Sequence, residues 1–301
     1  AGYSSRRSYD RDTGQVLLNT YFPTSIKPVQ ADPKPFLDFM AHLIPDASER
    51  DVVLRWFRTL VAHADRRLFY GLVLLSEQTG TGKSLFMERI LSPLVGLNNT
   101  SQVAFKTLLK SDFNEFLVEK RLVICNEMSF DGRAIQARDV ESLLRDYITA
   151  TRVRANLKYL QAETINCNIS MVLADNSACP FPIPEKERRF YVPTVTEEPY
   201  LEERSGPFLD WLEGGGLGAI LNYCLTSSEY IDGAALPPMT PRKRAWIQAS
   251  KSENVISVER IAELALTAKE PIAVGTYSIR EWLKSSSGQA EVVGAAKIKK
   301  S

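Results

Sequence analysis

"LVLLSEQTGTGKSLFMERIL" occupies Leu72–Leu91 and changes texture twice along its length. Leu72–Leu75 is a short continuous apolar run, which suits a strand covered on both faces. Gly80, Gly82, Lys83 and Ser84 follow, and then a helical pattern that is expected to stop near Pro93. A glycine-rich loop between a buried strand and a helix is the setting in which backbone N–H groups and a helix N-terminus cradle phosphates. The full pattern, G-x-x-x-x-G-K-[ST], asks for a glycine where this chain has Glu77. A chance G-x-G-K-S is not rare; one in this context is much rarer. The expected nucleotide contacts are Gln78, Thr79, Gly80, Thr81, Gly82, Lys83, Ser84 and Leu85. Lys83 is assigned to the β- and γ-phosphates and Ser84 to a magnesium ion.

A phosphate site also needs a carboxylate at the end of a neighbouring strand. "RLVICNEM" (121–128) is a second buried strand that ends in Asn126 and Glu127. Glu127 is read as the group that polarises the attacking water. Asn126 stands where an aspartate is commoner and accepts a hydrogen bond from metal-bound water without carrying charge. Ser84, Asn126 and Glu127 are therefore the expected magnesium set. "ISMVLA" (169–174) is a third buried strand, and Asn176 beyond it lies where a polar side chain reaches the γ-phosphate. Arg188 and Arg189 in "PEKERRFYVP" suit an arginine finger that acts on a neighbour's transition state. The blander readings are a strand that ends in polar residues, as most do, and a solvated arginine pair.

The rest of the composition narrows the chemistry. The chain has 301 residues, 44% of them apolar, and a net charge of +1. That excludes a generally basic nucleic-acid binder, so any such contact must come from a local patch. "YITATRVRANLKYLQA" (147–162) is one patch, with Arg152, Arg154 and Lys158 and no acid. It alternates like a β-hairpin with its tip near Ala155–Lys158, and Tyr159 adjoins the lysine. The segment from Thr240 onward is a second, with 11 Lys/Arg against 6 Asp/Glu. Cys125, Cys167, Cys179 and Cys224 form no C-x-x-C pair, which argues for reduced thiols over a zinc site. His42 and His63 lie in helical-looking segments, and no metal role is expected of either. No apolar run approaches the roughly 20 residues of a membrane span. No signal peptide is seen, so no membrane contact and a cytoplasmic location are expected, in the host cell if the source is viral.

Outward from the loop, residues 1–34 read as an extended lead-in. Residues 35–66 read as helices with Phe36, Met40 and Leu43, then Val53, Trp56, Phe57 and Leu60, on single faces and Ser48 as an N-cap. "DVESLLRDYI" is a further helix. Residues 67–198 are expected to form an α/β P-loop core with a parallel sheet. Residues 199–301 read as a mostly helical region, with helices around glycines 214–216, a later helix–turn–helix, and a winged-helix-like unit as one reading.

Taken as a set, "EQTGTGKS", "LVICNE", "TRVRANLKY", "MVLADN" and "ERRFYVP" resemble the superfamily 3 helicases of the AAA+ class, and most of all the helicase parts of phage and mobile-element primase-helicases. The likeness runs over roughly residues 18–195, including the tryptophan-bearing "VVLRWFRTLVAH", and is loose beyond. It implies a homo-hexameric ring that translocates 3′ to 5′ on single-stranded DNA. It implies ATP between subunits, an arginine given in trans and a lysine-bearing hairpin in the channel, to which Lys158 is the best match. It also implies a primase or polymerase domain linked upstream. Glu77 and Asn126 depart from the family pattern. Each leaves room for a weak or altered ATPase, such as an assembly module that binds ATP but barely hydrolyses it; a P-loop ATPase that acts on nucleic acid without unwinding, as a loader, is the other alternative.

Overall fold

The computed structural model describes residues 7–9, 16–18, 21–110, 113–128, 137–159, 161–232 and 235–251. Within the lead-in, β1 (Arg7–Tyr9) and β2 (Val16–Leu18) pair antiparallel. The chain then crosses to α1 (Lys34–Leu43) and α2 (Ala47–Ala62). Val53, Trp56, Phe57 and Leu60 are all buried on one face of α2, and the Trp56 indole donates to the Tyr70 carbonyl at 3.1 Å. The cap of α2 is Asp46 and not Ser48. The Asp46 carboxylate accepts from the Glu49 N–H at 2.9 Å, and the Ser48 hydroxyl turns back to donate to it at 2.6 Å. An ionised oxygen also complements the positive end of the helix, which a hydroxyl does not.

The central sheet is built from β3 (Gly71–Leu75), β4 (Thr100–Gln102), β5 (Leu122–Asn126), β8 (Ser170–Asp175) and β9 (Phe190–Tyr191). Its order is β4-β5-β8-β3-β9, and every neighbouring pair is parallel. Both faces are covered, which is why the strands read as unbroken apolar runs. Leu72, Leu74, Leu122, Ile124 and Val172 feed one core, with α1, α2, α6 (Glu202–Trp211) and α7 (Leu217–Thr226) packed on it. Val73, Leu75, Val123, Met171 and Leu173 feed the other, with α4 (Phe105–Lys110) and α5 (Ala137–Thr149) over it. Trp246 of α8 (Pro241–Ala249) completes that second layer and donates to the Phe181 carbonyl at 2.6 Å. The expected parallel α/β sheet is thus present.

The helix after the loop, α3, runs as wide π-type turns over Leu85–Leu91 and as α-helix over Ser92–Val95. It does not stop at Pro93. The Ser92 N–H reaches back five residues to the Met87 carbonyl, and this widening relieves the clash a proline ring makes in an ordinary α-helix. A further π-type turn, Leu212–Gly216, joins α6 to α7, with Gly215 at φ 112°. The hairpin comprises β6 (Arg152–Ala155) and β7 (Glu163–Asn166), paired antiparallel from Arg152↔Asn166 to Ala155↔Glu163. Residues 1–247 form one compact unit and residues 248–301 a second. The second helix of the expected helix–turn–helix lies outside the described residues. Among those described, no helix is long and apolar enough to cross a membrane.

Candidate phosphate site and basic hairpin

The loop leaves β3 at its C-terminal end and enters α3. Gly80 has φ 72° and Gly82 φ 106°, backbone that side chains rarely adopt. At Gly82 there is also no room, since a Cβ would lie 2.9 Å from the Phe39 ring. Glu77 is not among the residues in the left-handed region, so the glycine missing there costs no strain. The ammonium of the buried Lys83 donates to the Ser76 hydroxyl, to the Gln78 carbonyl at 3.3 Å and to Asn176 Oδ1 at 2.9 Å. Burial pushes the Lys83 pKa down, and the nearby carboxylates of Glu197 and Asp175 pull it back up. A cavity of about 360 Å³ opens over the loop, and Asn176, Tyr200, Ser205 and Leu209 line it together with the loop residues.

The polar strand ends gather at the same edge. Asn126 ends β5, and its Nδ2 donates to Glu88 Oε1 at 3.0 Å. Its Oδ1 is buried and has no hydrogen-bond partner among the described residues. Glu127 takes a left-handed φ of 57°, uncommon for a residue with a side chain, and stands exposed. Its N–H donates to the Ala174 carbonyl of β8 at 3.0 Å, so the chain turns off the sheet at the acid.

The structure therefore gathers Lys83 and Asn176 in direct contact, with Asn126 and Glu127 at the end of the adjoining strand β5. It does not bring Arg188 and Arg189 there. The Arg189 carbonyl accepts from the Gly71 N–H at 2.8 Å, which puts both arginines at the opposite end of β3, about 16 Å along the strand from the loop. Arg188 is exposed and Arg189 half-buried. Their turn is fixed by Glu187, which accepts the Phe190 N–H at 3.1 Å and is paired in the interior with Lys243 at 2.9 Å.

A family model described as a family of unknown function, DUF5906, matches residues 74–189. A DNA primase-polymerase of Nitratiruptor phage NrS-1 is 23% identical over 256 residues, 80% of this chain and 33% of the phage protein. The chain is homologous to that protein and spans about a third of its length. Two solved structures of the NrS-1 C-terminal region share the fold. One has a TM-score of 0.71 at 19% identity, covering 94% of this chain and 70% of that one. The other has a TM-score of 0.65 at 20% identity, covering 93% and 69%.

The hairpin lies outside the sheet. Arg152 and Arg154 are exposed on one face of β6, as the period of two requires, and Val153 turns toward the core. Lys158 and Tyr159 stand at the tip, with the ammonium 5.0 Å from the ring centroid. Tyr159 is 89% exposed and has φ 67°. Three hydrogen bonds tie Asn114 to the outgoing strand. Its N–H donates to the Asn156 carbonyl at 3.1 Å, its side-chain nitrogen donates to the Arg154 carbonyl at 2.8 Å, and its side-chain oxygen accepts the Asn156 N–H at 2.7 Å. Arg67 fixes the base, donating to the carbonyls of Ile148 and Ala150 ahead of β6 and of Cys167 just after β7.

Two contributions escape a reading by motif. Tyr200, Ser205 and Leu209 come from the segment read as the helical C-terminal region, Glu197 comes from the last residues of the expected core, and only tertiary packing brings them over the loop. The Glu197 carboxylate accepts the Gln78 N–H of the loop itself at 2.9 Å. Glu88 is the other. Its signal was present, four residues after Ser84 on a helix that starts at the phosphate loop.

Proposed function

We propose that this chain is the ATP-hydrolysing motor of a replication protein, built as an AAA+ helicase core of the superfamily 3 kind. The observation that carries the reading is the contact of Lys83 with Asn176 under an open cavity at the C-terminal sheet edge. The backbone of Gln78–Leu85, with Gly80 and Gly82, holds the phosphates of ATP, and Lys83 offsets charge on the transferring group. Glu127 takes the proton of the attacking water, and Asn176 orients it. Ser84, Asn126 and Glu127 would hold magnesium, which when bound neutralises phosphate charge. The exposed Ser84 at the helix start and the orphaned Asn126 Oδ1 fit such an ion. The arginines stand a strand's length from their own loop, so a finger role for Arg188 or Arg189 requires the site of an adjacent copy. That geometry supports subunits arranged in a ring, a homo-hexamer by the family resemblance.

Single-stranded DNA is the proposed track. Arg152, Arg154, Lys158 and Tyr159 give the hairpin phosphate-binding charge and one stacking surface, a combination that grips any sequence. The homologous phage protein is a primase-polymerase, which supports a primase or polymerase domain linked upstream of this segment. A second reading, an ATPase that loads or assembles without unwinding, is favoured by one observation, the uncharged Asn126. Turnover measured with and without single-stranded DNA, beside strand displacement, separates the two. The motor reading expects DNA-stimulated hydrolysis with unwinding, and loss of both by at least about 10²-fold in Lys83→Ala. Stimulated hydrolysis with no displacement selects the loader. Undiminished turnover in Lys83→Ala removes this loop as the active site.

A further inference from the structure

The strand-end asparagine poses a chemical problem. A magnesium ion keeps several of its waters, and those waters are held by carboxylates beside the phosphates. Asn126 offers an oxygen without charge. We propose that Glu88, from the first turn of α3, supplies the negative charge that Asn126 lacks and is a positioning residue for the cation. The inference rests on the nucleotide-site reading above and assigns a residue that reading did not use.

Four observations converge on it. Glu88 follows Ser84 by four residues, which puts the two side chains on one face of the helix that begins at the loop. Its Oε1 receives two amide donors, Asn126 Nδ2 at 3.0 Å and Gln102 Nε2 at 3.0 Å. Those amides end two adjacent strands, β5 and β4, so a carboxylate on a helix is held from the sheet. The second oxygen, Oε2, takes no hydrogen bond from the described residues, and the residue is exposed. Meanwhile the Asn126 oxygen is buried with no hydrogen-bond partner among the described residues, so the Asn126–Glu88 pair holds two unused acceptors, Asn126 Oδ1 and Glu88 Oε2. An amide at position 126 does what an aspartate there could not: it holds a second carboxylate by donating to it. The exchange moves the charge from strand to helix and keeps it at the same sheet edge.

The test is nucleotide binding and not turnover. A fluorescent ATP analogue is titrated into the full chain without magnesium, and magnesium is then added in steps. Wild-type protein should bind more tightly as magnesium rises. Glu88→Gln keeps an acceptor for both amides, so it should melt at the wild-type temperature and bind the metal-free analogue normally. Its apparent magnesium affinity should fall by about 10–100-fold, the usual cost of losing a carboxylate that supports a metal site from behind. Glu88→Gln/Asn126→Asp returns a charge to the strand end and should recover most of that loss. Wild-type magnesium dependence in Glu88→Gln overturns the proposal, as does a loss that the double variant leaves in place. Wild-type protein that binds no analogue at all would instead remove the nucleotide site itself.

Discussion

Gly80 and Gly82 look equivalent in the motif and are not equivalent in the fold. Both have left-handed backbone, but only at Gly82 does a Cβ meet another side chain, the Phe39 ring at 2.9 Å. Gly80→Ala should cost about 1–2 kcal/mol from backbone strain alone. Gly82→Ala should cost about 1–3 kcal/mol in strain plus the displacement of Phe39 from the core. Thermal unfolding of the two variants gives the order, and equal melting temperatures would show that Phe39 yields freely. At Glu127 the consequence is chemical. Glu127→Gln keeps the left-handed turn and the bond to Ala174 but not the base, so hydrolysis should slow by about 10² to 10⁴-fold while nucleotide still binds. A variant with wild-type turnover would move water activation to another group. At this scale the sequence was readable where a residue's role is local: glycines in a loop, an acid at a strand end. It was not readable at Glu77, where the absent glycine suggested a weakened loop although the backbone there needs none.

Elements were legible by period and run length, and their ends were not. The apolar runs announced β3, β5 and β8, and the alternation of Arg152, Val153 and Arg154 announced a hairpin. The cap of α2 and the passage of α3 beyond Pro93 depend on hydrogen bonds that no pattern displays. The segment over the cavity, 200–209, reads as part of a different region because its contacts with the loop are long-range in sequence. At the hairpin, Lys158→Ala should weaken binding of single-stranded DNA alike on all sequences and reduce its salt dependence by about one phosphate contact for each engaged copy. Hydrolysis without DNA should persist and unwinding should fail. Anisotropy titrations at several salt concentrations read the first effect; unchanged affinity together with unchanged unwinding would remove the hairpin from the track. Asn114→Ala tests the brace. It removes two of the three bonds to residues 154–156 and leaves every charge in place. DNA affinity should fall by less than in Lys158→Ala, with the salt slope intact.

For the whole molecule the decisive fact is a separation. The phosphate loop and the arginine turn occupy opposite ends of one strand, so a single copy cannot use both on one nucleotide. Arg188→Ala should therefore abolish turnover while the variant still binds nucleotide at its own loop, and the exposed Arg188 should matter more than the half-buried Arg189. Mixing supplies the test. Wild-type protein diluted with Arg188→Ala should lose more activity than its mole fraction predicts, whereas a strictly proportional loss would show that each copy works alone. The base of the hairpin extends the argument to mechanics. One guanidinium, that of Arg67, joins the end of α5 to the chain just after β7, so both feet of the hairpin are pinned to the body that carries the sheet. A lever pinned at both feet does not fold at its root. In the proposed motor, a rotation of that body would carry Lys158 with it, and the stroke would be set by how far the body turns more than by how far the hairpin bends.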